Sequence, residues 1–242
     1  MTRFEVQVFS DTTCPWCYLG LMSLDRAMET YKQQHPDAEF EVAWKPFYLF
    51  PEAKVSAYPK RDYYLRKFGP SRIAGFYARL SAAATSLGVP PPSFAGTTGN
   101  TRDSHRLVLL AQRRSPALGR RLLHAIFEDE FGPAGRDVSD RAFLAEVAAR
   151  EGLWASEAEA LRWLEGGGDG EEGEELGREA DEIDRLAKSG KEIEAVPSYV
   201  VQGRFRVGGF QEPGVFLGVF ERVRALEEEA AAKLKGDDGV LP

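Results

Sequence analysis

Cysteine is nearly missing from this chain: of 242 residues, two are cysteines. Both stand in one tetrapeptide, Cys14-Pro15-Trp16-Cys17, so no disulfide framework holds the fold together. None is needed, because 43% of the residues are hydrophobic and 11% aromatic, enough for a substantial core. Histidine is as scarce. His35, His105 and His124 show no H-x-x-x-H spacing. Structural zinc takes four ligands, commonly with a second closely spaced pair, so no metal site is expected. Positive charge is in deficit, with 31 Lys and Arg against 38 Asp and Glu for a net charge of −7. That balance excludes the basic face of a nucleic-acid binder. No apolar run approaches the roughly 18 residues of a membrane span. Met1-Thr2-Arg3 leads directly into a strand pattern, without the basic and apolar segments of a secretory signal. The expectation is a cytoplasmic protein with neither nucleic-acid nor membrane partners. In a reducing compartment a lone C-x-x-C is more often catalytic than structural.

The paired cysteines sit at a strand–helix junction. An apolar stretch from Phe4 to Phe9 precedes them and an amphipathic one from Leu19 to Tyr31 follows. Cys14 is thereby placed at a helix N-terminus, where backbone N–H groups and the helix dipole favour a thiolate and lower the pKa. Cys17 follows one helical turn later, within reach to close a disulfide once Cys14 has attacked a partner. A purely structural disulfide here would remove little entropy from the unfolded chain, because its loop is so short.

The first sixty residues read as β-α-β. Phe4, Val6 and Val8 alternate, as do Phe40, Val42 and Trp44, around a helix carrying Leu21, Leu24, Met28 and Tyr31. From Tyr58 to about Gly190 the pattern is helical. Helices are predicted from Pro70 to Leu87, from a cap at Asn100 through Leu110, from Ala117 to Phe131, from Ser139 to Arg150, from Ser156 onward and from Glu174 to Ser189. Ser156-x-x-Glu159 is a capping box, and the acidic glycine-rich run from Gly166 to Gly173 reads as a solvated loop. Strand character returns at Ser198–Val201 and Arg204–Val207 as a hairpin around Gln202-Gly203. Pro213 opens a last helix through Val219, Val223 and Leu226 into an Ala/Glu/Lys tail. This order fits one discontinuous α/β domain, residues 1–57 and 191–235, with an all-helical domain, residues 58–190, inserted between its halves.

Val196-Pro197 stands immediately before the returning strand. A proline at that place either starts the strand in the common trans form or marks a special turn. If the bond is cis, the Val196 backbone is expected to turn outward, free to pair with an extended peptide.

The combination of Cys14-Pro-Trp-Cys17 after a strand with Val196-Pro197-Ser-Tyr-Val-Val-Gln-Gly far downstream resembles the DsbA-like branch of the thioredoxin superfamily. It resembles most the FrnE-like dithiol–disulfide oxidoreductases. Asn100-Thr-Arg-Asp-Ser-His105 is similar to their N-T-x-x-x-H segment, and Val207-Gly-Gly-Phe-Gln211 to their end-of-hairpin residues. The resemblance spans nearly the whole chain and implies a thioredoxin fold with the helical insertion. It implies that Pro197 is cis and packs on the cysteines, that Cys14 is the exposed nucleophile and that Cys17 resolves. Two features depart from the pattern. Trp16 stands where strongly oxidising periplasmic relatives carry histidine, so no imidazolium assists Cys14 from within the motif and a less oxidising disulfide is expected. A second, C-terminal cysteine pair found in some FrnE-like proteins is absent.

Several residues keep two roles open. His105 fits a proton shuttle or an ordinary helix histidine. Trp16 fits a peptide-docking surface or a cap over the helix start. Tyr48, Phe50, Tyr58, Tyr63, Tyr64 and Phe68 fit a hydrophobic substrate groove or the core joining the two parts of the chain. The reading is a thiol–disulfide oxidoreductase with Cys14 and Cys17 catalytic, Pro15, Trp16, Pro197 and His105 supporting, and Val196 with Trp16 binding substrate. It needs no metal or prosthetic group; its partners are protein thiols and disulfides, with glutathione or a thioredoxin-like reductant to recycle the pair. A glutathione-dependent kappa-type transferase or 2-hydroxychromene-2-carboxylate isomerase is the alternative, disfavoured by the second thiol. A non-catalytic chaperone or binding module is the other.

Overall fold

Phe4, Val6 and Val8 form the buried face of β1 (Thr2–Ser10) in the computed structural model, which describes residues 2–53, 57–166, 170–190 and 193–237. A right-handed crossover of this kind returns the chain parallel. Here the crossover is α1 (Pro15–Gln34), and β2 (Ala38–Pro46) pairs with β1 from Thr2↔Ala38 to Ser10↔Pro46. The helix buries Leu21, Leu24, Met28 and Tyr31, the stripe its periodicity predicts. It ends at His35, whose N–H bonds the Tyr31 carbonyl at 2.8 Å, because Pro36 disfavours helical geometry in the residue before it.

The middle of the chain is helical with one small exception. Tyr58–Pro59 (β3) pairs antiparallel with Thr97–Thr98 (β4), framing α2 (Lys60–Phe68) and α3 (Pro70–Ser86). A two-residue pairing leaves no periodic trace in a sequence, so none was expected. There follow α4 (Arg102–Arg114), α5 (Pro116–Phe131), α6 (Arg141–Arg150), α7 (Glu157–Leu164) and α8 (Gly170–Ser189). Four expected helix starts shift, that of α5 by one residue, from Ala117 to Pro116. Thr101, not Asn100, is the N-cap of α4, while the Asn100 side chain accepts the Arg102 N–H at 2.8 Å from one position earlier. Asp140 caps α6 by accepting the Ala142 N–H, so Ser139 lies outside the helix. The acidic run is only partly a loop: residues 167–169 lie outside the described residues, but α8 already begins at Gly170. Glu171 and Glu172 complement the dipole of its first turn, and Glu172 accepts the Trp163 indole N–H at 3.3 Å. The capping box at Ser156 forms as expected with the Glu159 N–H, whereas the Glu159 carboxylate reaches Ala155 N–H instead of Ser156.

A fully buried ion pair ties two of these helices. Lys60 Nζ lies 3.3 Å from Glu130 Oε2 and donates to the main-chain carbonyls of Glu130 and, at 3.0 Å, Arg136. Burial pushes the Glu130 carboxyl up and the Lys60 ammonium down, and each partner's charge opposes the shift of the other, holding the pair ionised.

β5 (Ser198–Val201) and β6 (Phe205–Gly208) close the sheet in the order β2-β1-β5-β6, with β5 antiparallel to β1 and to β6. The hairpin turns through Gln202 and Gly203, both with positive φ, and Arg204 N–H bonds the Val201 carbonyl at 3.1 Å, the pattern of a type I′ turn. The final helix, α9 (Pro213–Asp237), continues through the Ala/Glu/Lys segment read as a tail. Its Phe220 joins Phe4, Tyr31 and Phe40 in an aromatic core, with centroids 4.8 to 5.5 Å from Phe220. The sheet thus draws strands from both ends of the chain, the thioredoxin-like arrangement, with helices between them. The boundary expected at residue 191 lies outside the described residues.

Candidate active site at the Cys14–Cys17 turn

Leaving β1 at Ser10, the chain turns through Asp11, Thr12 and Thr13 before Cys14 caps α1. Cys14 has extended backbone angles, its N–H bonds the Asp11 carbonyl at 3.0 Å, and its own carbonyl accepts Cys17 N–H (3.0 Å) and Tyr18 N–H (3.1 Å). Pro15 occupies the first helical position, where the lost N–H costs nothing. Thr12 and Thr13 are pinned from the helical part of the chain. Thr12 Oγ1 and Ser104 Oγ are 2.7 Å apart, Thr13 Oγ1 and Thr98 Oγ1 3.0 Å, and the Tyr64 hydroxyl donates to the Thr13 carbonyl. Asp11 is buried, accepting the Leu49 N–H at 2.8 Å and, more weakly, the Thr13 N–H at 3.4 Å.

Both cysteines are free thiols and both are buried, Cys14 being 4% exposed and Cys17 1%. The expectation of an exposed Cys14 is therefore corrected. The turn is held under α2 and the 98–104 segment on one side, and Val196 closes on the other, with Cys14 Sγ 3.8 Å from the Val196 carbonyl oxygen. The two thiols differ sharply. The hydrogen bond from Cys17 holds the Cys14 thiol below the free-thiol range against the opposing effect of burial; the charge of Asp11 raises it and that of Lys67 lowers it. Burial, above all, pushes the Cys17 thiol well up, and Cys14 raises it further. Cys14 is the thiol that ionises.

The Val196–Pro197 peptide bond is cis. Pro197 lies against α1 one turn beyond Cys17: a Cβ added at Gly20 would fall 3.0 Å from Pro197 Cγ and 2.3 Å from the Tyr199 hydroxyl, so only glycine admits this approach. The Pro197 carbonyl accepts Gly209 N–H at 2.8 Å. Val196 itself is buried, and its carbonyl faces Cys14.

Trp16 is half-buried, its ring 5.7 Å from Phe210 and 6.4 Å from Phe76, which makes it a cover over the helix start with one side open. His105 is buried on α4, with Nε2 3.4 Å from Asp11 Oδ1 and its ring edge-on to Tyr48 at 5.3 Å. It reaches the turn before Cys14 through Asp11. The aromatic cluster divides. Phe50, Tyr58 and Tyr63, with Leu49, Pro51, Glu52, Ala53, Arg66 and Lys67, line a groove of about 460 Å³. Tyr64 and Phe68 stack on Phe76 in the core, and the Tyr48 hydroxyl donates to Asp181 at 3.1 Å. Sequence reasoning missed Asp11, Thr13, Thr98, Ser104 and Lys67. Only Asp11, a turn former three residues before Cys14, left a local trace. Among the described residues no group of three His, Cys, Asp or Glu side chains comes together as a metal site, and no helix is long and apolar enough to cross a membrane.

No curated protein matches the chain by sequence. Among solved structures it is similar to a probable DsbA oxidoreductase from Streptomyces coelicolor, at 26% identity and a TM-score of 0.75, covering 92% of this chain and 90% of that one. The cytosolic disulfide reductase DsbM from Pseudomonas aeruginosa, solved with GSH, shares 21% identity at a TM-score of 0.52 over 94% and 99% of the two chains. A 2-hydroxychromene-2-carboxylate isomerase shares the fold at 14% identity and a TM-score of 0.55 over 98% and 100%. The DSBA-like thioredoxin domain matches residues 5–217, nearly the whole chain, and the protein belongs to that family.

Proposed function

We propose that this protein is a cytoplasmic dithiol–disulfide oxidoreductase of the FrnE-like branch, working through Cys14 and Cys17. One observation carries the reading: two adjacent thiols at a helix N-terminus, one held below and the other well above the ordinary thiol pKa. The Cys14 thiolate attacks one sulfur of a substrate disulfide. The substrate S–S bond breaks, a mixed disulfide forms on Cys14, and the departing sulfur leaves as a thiolate that takes up a proton. Cys17 then gives up its proton and attacks Cys14 Sγ. This releases the second substrate thiol and leaves the Cys14–Cys17 disulfide, so two electrons have passed to the substrate. The reverse sequence oxidises a dithiol.

Substrate enters by taking over the contact that Cys14 now makes with Val196. The Val196 main chain then pairs with the substrate backbone beside Pro197, and the open side of Trp16 supports the peptide. Pro15 fixes the helix start, and His105 acts on the turn through Asp11. Residues 58–190 serve as an inserted helical unit that holds this turn, and no metal or prosthetic group takes part. Glutathione or a thioredoxin-like reductant recycles the pair; DsbM, solved with GSH, is a relative in which such a thiol is bound. A glutathione-dependent isomerase would use Cys14 alone, and Cys17 beside it speaks for exchange.

Insulin reduction with dithiothreitol or glutathione tests the reading. Turnover by the wild type, its loss in Cys14→Ser and accumulation of mixed disulfides in Cys17→Ser are expected. A wild type that suppresses aggregation without turnover would make it a holdase, and one that turns over undiminished without Cys17 would make it a single-thiol enzyme.

A further inference from the structure

We propose that Lys67 is a positioning residue for Cys14, a fixed cation on α2 that favours the thiolate over the thiol; this rests on the redox reading of Cys14. The first turn of α1 carries no basic side chain, and Trp16, inside the motif, is uncharged. Any side-chain cation must come from elsewhere in the fold.

Residues four apart share a helix face, which sets Lys67 one turn beyond Tyr63. Lys67 also stands three positions after Tyr64, on the same side of α2, and the Tyr64 hydroxyl donates to the Thr13 carbonyl, next to Cys14. Tyr63 packs on Phe50 at 4.6 Å, and Lys67 Nζ lies 4.2 Å from the same Phe50 ring and 5.6 Å from Phe68. A lysine normally surrenders rotamer entropy to hold one position, and the two ring faces restrict it here before any anion arrives. Among the described residues Lys67 forms no salt bridge. Partial burial of the ammonium lowers the Lys67 pKa, and the charges of Cys14 first, then Asp11 and Cys17, oppose that shift.

The other ionisable groups around Cys14 offer no competing cation. Asp11, in the turn, opposes the thiolate. His105 meets that carboxylate and not the sulfur. Tyr63 and Tyr64 on α2 and Tyr199 on β5 are all pushed up by burial and remain neutral. Cys17 supplies a hydrogen bond and no positive charge. Lys67 is left as the cation that partly offsets Asp11.

The experiment is to titrate Cys14 in the full-length reduced protein, by ultraviolet thiolate absorbance and by the pH dependence of its alkylation. Wild type, Lys67→Met and Lys67→Arg are compared. Lys67→Met keeps the stem against Phe50 and removes the charge; it should raise the Cys14 pKa by about half a unit. Below that pKa its alkylation should slow by about twofold, a roughly threefold loss of thiolate partly offset by the higher nucleophilicity of a more basic sulfur. Lys67→Arg should restore the wild-type titration. Because Lys67 is exposed, added salt should narrow the gap between wild type and Lys67→Met. An unchanged titration in Lys67→Met, or an equal shift in Lys67→Arg, would overturn the role. Ionisation is read without turnover. Failure here with insulin reduction intact therefore removes Lys67 alone, whereas loss of insulin reduction with this shift present removes the redox reading.

Discussion

The thiol of Cys14 and the carbonyl oxygen of Val196 meet at 3.8 Å across 182 positions of sequence. A weak S–H donor occupies the acceptor that, on the proposed function, an extended substrate strand would take, so Cys14 itself covers the Val196 carbonyl. Ionising Cys14 removes that donor and releases the carbonyl.

The first consequence is a pH dependence with opposite signs at the two cysteines. Cys14, with its folded-state pKa depressed, stabilises the reduced protein in full above the unfolded thiol value of about 8.5 and loses that contribution as pH falls through the folded value. Cys17, with its pKa raised, costs stability above about 8.5, where the unfolded chain sheds a proton that the fold retains. Urea unfolding across this range should show Cys14→Ser losing ground to wild type with rising pH and Cys17→Ser gaining it. Cys14 should also alkylate first in the native protein; a faster Cys17 would invert the roles.

Gly20→Ala is expected to destabilise the fold despite alanine's better helix propensity. Its methyl group would meet the Tyr199 hydroxyl and Pro197, and overpacking of this kind costs about 1–3 kcal/mol against a propensity gain of about 1 kcal/mol. Disulfide reduction should fall with it, since Pro197 is displaced from the cysteine helix. A raised urea midpoint would show that β5 yields without loss.

The Lys60–Glu130 pair should behave as a unit. Lys60→Met or Glu130→Leu alone strands a fully buried partner and should cost about 3–5 kcal/mol, while the double variant should recover most of that loss. Simple additivity in a double-mutant cycle would show that the two groups do not interact.

Trp16→His should lower the Cys14 pKa and raise the reduction potential, because an imidazolium at the helix start stabilises the reduced form. Equilibration with glutathione measures it. Equal potentials would show that this position does not set the redox poise.

Those residues whose signal is local were legible in the sequence. Alternating Phe4, Val6 and Val8, the stripe from Leu21 to Tyr31, the Gln202-Gly203 turn and Pro213 each mark an element by period or by turn chemistry, and each element is there. Cys14 at the N-cap followed from the same logic. Its burial did not, because that depends on Tyr64, Thr98 and Ser104, which touch the turn from 51 to 92 positions away. Periodicity says nothing of such pairings. Lys60 and Glu130 were hidden for the reverse reason: charged residues read as surface until a partner across the core is known. The glycine-rich acidic run misled by composition, where Glu172 bonded to Trp163 overrode it.

The sheet that joins both ends of the chain also sets an order of events during synthesis. Cys14 and Cys17 leave the ribosome early, whereas Val196 and the β5 strand that pairs with β1 come last. At ordinary elongation rates the interval is about ten to forty seconds. Throughout it the growing polypeptide carries two uncovered thiols that can exchange with whatever disulfides surround them. Reducing surroundings would therefore protect this polypeptide while it is made, before the finished fold can shield its own sulfurs.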